Sequence, residues 1–367
     1  MNEDRASRYH RLKRRASVIA LLWSVVLLAG LLASGLSAAL RTIAAAWAGG
    51  SPALTVLVYV AILSSVNELF TLPLSFYSGF LVERRYELSN ETPRTWIADQ
   101  MKSFGLALML GGGAASMIYW CIRVSPERWW AIAGVAFALL IVGLTNLAPI
   151  LLLPLFYSVK PLDRESLSSR LLALADRAGA RVLGAYEWGL ATKTKKANAA
   201  LAGIGPTRRI LVSDTMLAEY SDDEIEVVLA HEMAHHVHGD IWKGIAFESA
   251  LIVGGFYLAA RMLAALAAPL GLAGVDDVAG LPLLLLAAGA VSLVTVPAAH
   301  AMSRGFERSA DRFALDLTRN PGAFISAMRR LGAQNLAEDD PSTLVQWLFY
   351  SHPPVRDRIA AAQNFKR

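Results

Sequence analysis

The sequence predicts a mainly α, polytopic membrane protein with about six transmembrane helices and a cytoplasmic α+β domain built from two segments with a small β-hairpin. Three observations lead there. Of 367 residues, 55% are hydrophobic and only 18% charged, against roughly 45–50% apolar and about 25% charged in globular chains. The excess is gathered in blocks near 17–40, 52–82, 103–122, 129–157, 244–270 and 281–300, each reaching the roughly 20 residues that cross a hydrocarbon core. The remaining polar matter falls into two pieces, about 158–243 and 301–367.

The first block follows the basic stretch MNEDRASRYHRLKRR. It is longer than the roughly 7–15 residues of a signal-peptide core, so an uncleaved signal anchor is expected. The second and fourth blocks exceed a span, so those helices should tilt or project into water. Orientation follows from the basic residues of short loops. Arg5, Arg8, Arg11, Lys13, Arg14 and Arg15 precede the first block, and Arg84, Arg85, Arg94 and Lys102 follow the second. The first loop has only Arg41, the third has Arg123 and Arg128, and the last, GLAGVDDVAG, has no basic residue. The alternation places both termini and both polar pieces in the cytoplasm, where they can build one site. The net charge of +5 is thus a matter of topology. No basic stripe with interleaved aromatics argues for nucleic acid. A lone cysteine, Cys121, excludes an internal disulfide and a thiolate metal cage.

Four parts result: a membrane module with four transmembrane helices (1–157), a first polar segment (158–243), two further transmembrane helices (244–300) and a second polar segment (301–367). In the first segment Leu167, Leu171, Leu174 and Ala178 form a helical stripe that Gly179 ends. Residues 181–188, 196–203 and 208–213 read as short strands, the last two joined at Gly203-Ile204-Gly205-Pro206 as a hairpin. Ser221-Asp222-Asp223-Glu224 has the form of a capping box and starts a helix running to about 240.

That helix carries HEMAHH at 231–236. His231 and His235 are four apart and share a face, a spacing that lets two imidazoles reach one zinc ion at about 2.0–2.1 Å. Glu232 is splayed beside the pair, where it can act as general base on zinc-bound water, the chemistry of a metalloprotease. Catalytic zinc usually takes three protein ligands. The stretch SRGFERSADRFALDL from 303 reads as a helix with Glu307 and Asp311 on one face. Glu307 is the candidate third ligand. Asp311 is placed to accept a hydrogen bond from a ligand imidazole and fix its tautomer. The alternatives are chance histidines on a solvated helix face, and carboxylates that balance Arg308 and Arg312.

These residues come in the order of a known family. LPLSFYSGFLVERRYELSNETPRTWIADQMK at 72–102, Lys196-Ala197-Asn198-Ala199 followed by RRILVSDTML, HEMAHH, Glu307 with Asp311, and SHPPVRDRI at 351–359 together resemble the type I CAAX prenyl endopeptidases. These are gluzincin-type integral-membrane zinc proteases related to the HtpX-type proteases. The resemblance implies one Zn2+ per chain on His231, His235 and Glu307, with Glu232 as base. It implies an extended peptide or protein substrate, membrane-associated or prenylated, held at the hairpin edge by Asn198 and Ala199. Strand addition would supply the contacts there. It further implies His352 and Arg356 near the cleft, where a donor can stabilise an oxyanion. The alanine- and arginine-rich makeup points to a bacterial member, hence to the bacterial inner membrane.

Other features are weaker. Glu68 lies in the second block and reads as lining a wet cavity or pairing with a polar neighbour. His236 and His238 are expected on the exposed side of the zinc helix, and His300 as an interfacial packing residue. Gly111-Gly112-Gly113 permits close helix packing. Three other functions fit parts of the pattern: a membrane quality-control protease without prenyl specificity, a catalytically silent zinc-bound scaffold, and a transporter. The intact Glu232 argues against the second. The lack of an inverted repeat argues against the third.

Overall fold

Helices dominate because an apolar block in a bilayer leaves its backbone groups no partner but one another. The computed structural model describes residues 4–203 and 208–365. Helix α1 (Arg5–Ala33) breaks at Ser34-Gly35, where Gly35 takes φ 73°, and is followed by α2 (Leu36–Trp47). Helix α3 (Pro52–Phe76) passes through a π-helical turn at Tyr77–Leu81 into α4 (Val82–Arg85). Then come α5 (Pro93–Val124), α6 (Trp129–Leu151), α7 (Leu153–Phe156) and strand β1 (Ser158–Pro161). The first polar segment continues with α8 (Glu165–Arg177), β2 (Gly184–Gly189), β3 (Ala199–Ala202), β4 (Arg209–Ser213), α9 (Asp214–Glu219) and α10 (Asp222–Val237). Helices α11 (Asp240–Leu266) and α12 (Leu281–Thr318) return through the bundle, and α13 (Pro321–Gln334), α14 (Thr343–Phe349) and α15 (Val355–Gln363) close the chain.

Among the described residues five helical stretches are long and apolar enough to span a bilayer: Arg5–Ala33, Pro52–Arg85, Pro93–Val124, Asp240–Leu266 and Val278–Thr318. The expected count was six. The sixth expected span is the block at 129–157, where helix α6 runs for 23 residues from Trp129 to Leu151, about 35 Å and enough for a core of about 30 Å; part of this helix lies outside the residues whose side chains are described. Helix α2 has 12 residues, about 18 Å, too short for a core of about 30 Å. It lies across the end of the bundle, where Arg41 meets Asp277 at 2.6 Å and Ser37 donates to the carbonyl of Ala279 at 2.5 Å. Of the glycine triplet only Gly112 packs closely: a Cβ there would stand 3.0 Å from Leu57 of α3, whereas one on Gly111 or Gly113 meets nothing within 4 Å among the described residues.

The apolar run and the polar helix expected from 303 are one rod. Helix α12 continues for 38 residues without a break at 300–303. The polar pair Ser303-Arg304 marks where it leaves the apolar region, not where the helix ends.

Outside the bundle a four-stranded sheet has the order β1-β2-β4-β3. The hairpin is present, with Ala199 opposite Val212 and Ala202 opposite Arg209. Ile204, Gly205 and Pro206 of its expected turn lie outside the described residues. Strand β2 pairs parallel with β4, and β1 is an added edge strand antiparallel to β2. The leucine stripe of α8 is wholly buried, packed with Ile210, Val212, Ile225, Leu229, Met233 and Phe324 in one core. Helix α10 stops at Val237, short of the expected 240, because Gly239 takes φ 67° and starts α11.

The capping box of α10 forms, and Glu224 does more than cap. Buried to 4% exposure, it accepts from the Ser221 N–H at 2.8 Å, Ser326 Oγ at 2.5 Å and Arg330 Nε at 3.0 Å. It thereby ties α10 to α13. Glu224→Ala is expected to cost about 2–4 kcal/mol, the sum of a lost cap and charged hydrogen bonds. A lowered thermal midpoint of the zinc-loaded protein in detergent checks this.

Candidate active site

Helix α10 has many buried apolar residues, among them Ile225, Val228, Leu229 and Met233, and its buried polar side chains, Glu224 and His231, meet protein rather than water. Ala230, Ala234, Ala310 and Ala314 are all 0% exposed. Residues this small let α10 and α12 approach closely enough for side chains of one to reach the other. His231 Nε2 lies 3.2 Å from Glu307 Oε2, and His235 Nε2 lies 3.5 Å from Glu307 Oε1. The two imidazoles stand nearly perpendicular, at 88°, with centroids 5.1 Å apart. Potential ligand atoms of His231, His235 and Glu307 all fall within 4.8 Å of one another.

The opposite nitrogen of each ring is held by a carboxylate. His231 Nδ1 is 2.9 Å from Asp311 Oδ1, as expected from the sequence. His235 Nδ1 is 3.1 Å from Asp240 Oδ2, which was not expected. A carboxylate at Nδ1 places the proton there and leaves the Nε2 lone pair facing Glu307. Burial works against a charge on His231, but Asp311 and Glu307 outweigh it and raise its pKa to about 9. The pocket therefore favours a positive charge. Glu307 Oε2 is buried and accepts no hydrogen bond among the described residues. Two imidazole lone pairs and an unsatisfied carboxylate oxygen, converging in one buried spot, fit a zinc ion.

Glu232 is half-buried one position along from His231. Burial pushes its carboxyl above the ordinary range, toward the values at which a carboxylate passes protons near neutrality.

His352 comes to the site: its Nε2 is 3.2 Å from Glu307 Oε1 on an exposed ring. Arg356 does not. Its guanidinium pairs with Asp340 at 2.7 Å and stays half-exposed. The arginine that enters the site is Arg358, whose Nη2 and Nε reach the two oxygens of Asp311 at 2.5 and 2.9 Å. Its Nη2 also lies 3.2 Å from His231 Nδ1. Helical period carries the reason. Arg358 falls on the inward face with Val355, Ile359 and Ala362, which pack on the core, whereas Arg356 is about 100° further round than Val355.

Strand β3 is one of the two edges of the sheet, the other being β1. Asn198, just before it, is exposed, with its N–H donating to Ser213 Oγ at 3.0 Å and its carbonyl accepting from the Ser213 N–H at 2.9 Å. In an antiparallel ladder the outward-facing groups then belong to alternate residues: Ala197, Ala199 and Leu201. The side-chain amide of Asn335 takes both groups of Ala197, at 3.1 and 3.2 Å, and His236 Nε2 bonds the Leu201 carbonyl at 3.0 Å. Ala199 is left between them. His236 is thus half-buried and structural, not on the exposed side as expected.

A cavity of about 740 Å³ lies between α3, α5, α6, α11 and α12, with a mostly apolar lining that includes Leu63, Ile118 and Phe256. Its α12 lining extends from Leu281 to Met302, about 30 Å of helix, and ends about 7 Å along the axis from Glu307. The carboxylate that lines it is Glu248. Glu68, half-buried on α3, is not among its lining residues.

Fold and site together define an integral-membrane metallopeptidase. The profile of peptidase family M48 matches residues 161–366, and that of the CAAX prenyl protease N-terminal region, described as five membrane helices, matches residues 2–158. The chain belongs to peptidase family M48, and it is a zinc-dependent metalloendopeptidase. It is 32% identical over 310 residues to the uncharacterized metalloprotease YhfN of Bacillus subtilis, a match covering 83% of this chain and 72% of that one. CAAX prenyl protease 1 of Saccharomyces cerevisiae is 31% identical over 194 residues, 52% of this chain and 43% of its own length. The fold matches that of S. mikatae Ste24p with a TM-score of 0.88, covering 98% of this chain and 88% of that one at 22% identity.

Arg356→Ala is expected to leave zinc affinity and turnover at wild-type levels. Arg358→Ala frees Asp311 from its brace and lowers zinc affinity about 10–100-fold. Competition titration against a zinc-binding dye separates the two.

Proposed function

We propose that His231, His235 and Glu307 hold one zinc ion per chain and that Glu232 is the general base for hydrolysis of a peptide bond. The convergence of two Nε2 atoms and a buried carboxylate supports this reading. Zinc in such a site polarises a peptide carbonyl and makes water acidic. The chain's own residues do the rest. An extended peptide pairs with the Ala199 N–H and carbonyl on the β3 edge, with the Asn198 side chain beside it. Glu232 takes a proton from water as it attacks and returns it to the leaving amine. His352 donates toward the carbonyl oxygen as that oxygen gains charge. Asp311 and Asp240 hold the two ring tautomers, and Arg358 holds Asp311.

The substrate read from this arrangement is membrane-associated or prenylated. A long apolar cavity ending about a turn and a half from Glu307 can take a hydrocarbon chain while the attached peptide lies on β3. Residues 1–157 and 244–300 serve as the membrane part, and 158–243 with 301–367 as the peptidase part. The basic-loop pattern supports a site and both termini on the cytoplasmic face, and composition supports a bacterial inner membrane.

Glu232→Gln is expected to retain one zinc per chain while kcat falls about 10²–10⁴-fold. Unchanged turnover in that variant, with zinc content measured on the same sample, would refute the assignment. For the substrate, peptides with and without a prenyl group are compared in vesicles. A several-fold lower KM for the prenylated peptide supports the cavity's role. Equal KM values point instead to a quality-control protease without prenyl specificity.

A further inference from the structure

The segment that carries His352 toward the site is tied to the membrane helices at two points that share Tyr350 as a partner. Arg14 stands two residues before Ala16, where the apolar run of α1 begins. Its Nη1 donates to Glu338 Oε2 at 2.7 Å and to Tyr350 Oη at 3.2 Å. Arg304 is the first charged residue after the apolar run of α12 ends at Met302. Its Nη1 donates to the carbonyls of Gln346 at 3.1 Å and Tyr350 at 2.7 Å. Arginines at the ends of two spans mark where hydrocarbon gives way to headgroups. Helix α14, which lies between Glu338 and Tyr350, is therefore held level with that boundary.

Its side chains suit the place. Helix α14 has no buried residue and no charge. Leu344 and Trp347, one turn apart, are 64% and 53% exposed. A second indole stands at the same level. Trp242, 53% exposed, opens α11 beside Lys243, whose Nζ lies 5.3 Å from the Phe306 ring centroid, two residues past Arg304. Tryptophan favours this zone because its ring is apolar and its N–H polar.

We infer that α14 is an interfacial helix, with Leu344 and Trp347 seated in the headgroup–acyl boundary of the bilayer. The occupant of this exposed face is lipid, because the face continues the boundary that α1 and α12 set. The contact stands on the height of α14 alone. Its bearing on catalysis rests on the proposed role of His352: two residues past Tyr350, the His352 loop is then moored to lipid, and the site opens at the membrane surface, where a membrane-anchored peptide lies.

The test uses the full, zinc-loaded chain in phosphatidylcholine vesicles. Leu344→Cys carries an environment-sensitive fluorophore in a Cys121→Ser background. Leu183→Cys, at a 58% exposed position before β2, is the control. Trp347→Cys repeats the measurement, and each variant is used only with its zinc intact. The 344 label is expected to be quenched by nitroxide placed shallow on the acyl chains. Iodide in the buffer should quench it several-fold less than the 183 label. Equal iodide quenching at both positions, with no nitroxide effect at 344, overturns the inference in favour of a face in water. Shielding of the 344 label from both quenchers also overturns it, in favour of a protein partner such as a second copy.

Discussion

The close crossing of α10 and α12 is the constraint on which the rest of the site depends. Glu307 and Asp311 are both about 5% exposed, and a buried carboxylate is costly unless a partner compensates it. The compensation comes from imidazoles on the facing helix, from Arg358 and from the cation the cluster is shaped to hold. The imidazoles do not reach if the axes of α10 and α12 stand farther apart. The four alanines at the crossing are therefore as much part of the metal site as the histidines. Glu224 acts on the same geometry from the other end of α10, holding it against α13.

The membrane part also reaches into the peptidase part. Glu83, 8% exposed and just past the π-helical turn, accepts from Tyr9 Oη at 2.6 Å and pairs with Lys196 Nζ at 2.9 Å. Lys196 is two residues before Asn198. Beside it, the 88–90 loop bonds the 193–195 stretch, with the Asn90 N–H to the Lys193 carbonyl at 3.0 Å and the Lys195 N–H to the Leu88 carbonyl at 2.9 Å. The lead-in to the β3 edge is thus held by helices that start in the bilayer. A π turn suits such a place, because one extra residue in the helix re-aims the side chains of the next turn.

What the sequence disclosed was local. The spacing of His231 and His235, the Ser221–Glu224 cap, the α8 stripe and the hairpin are all patterns within a few residues, and each appears in the structure. What it hid was long-range or depended on phase. Asp240 sits in a new helix after the Gly239 turn, so nothing in its spacing from His235 foretold a hydrogen bond. Arg358 was legible in principle, since it shares the face of Val355, Ile359 and Ala362, whereas Arg356 came from the resemblance alone. The parallel pairing of β2 with β4 depends on contacts between segments some 25 residues apart, which alternation alone does not reveal. The continuity of the last span with the Glu307 helix was hidden because a change of polarity near residue 300 looks the same whether or not the helix continues.

That unbroken helix has a mechanical consequence. A helix of 38 residues is about 57 Å long. One end lies within the bundle and the other carries Glu307 and Asp311. Pro297 lies within it, ten residues before Glu307, and removes one rung of its backbone ladder. Proline is where a long helix bends. A bend there would carry Glu307 and Asp311 on an arm of about 15–21 Å against two imidazoles anchored on another helix.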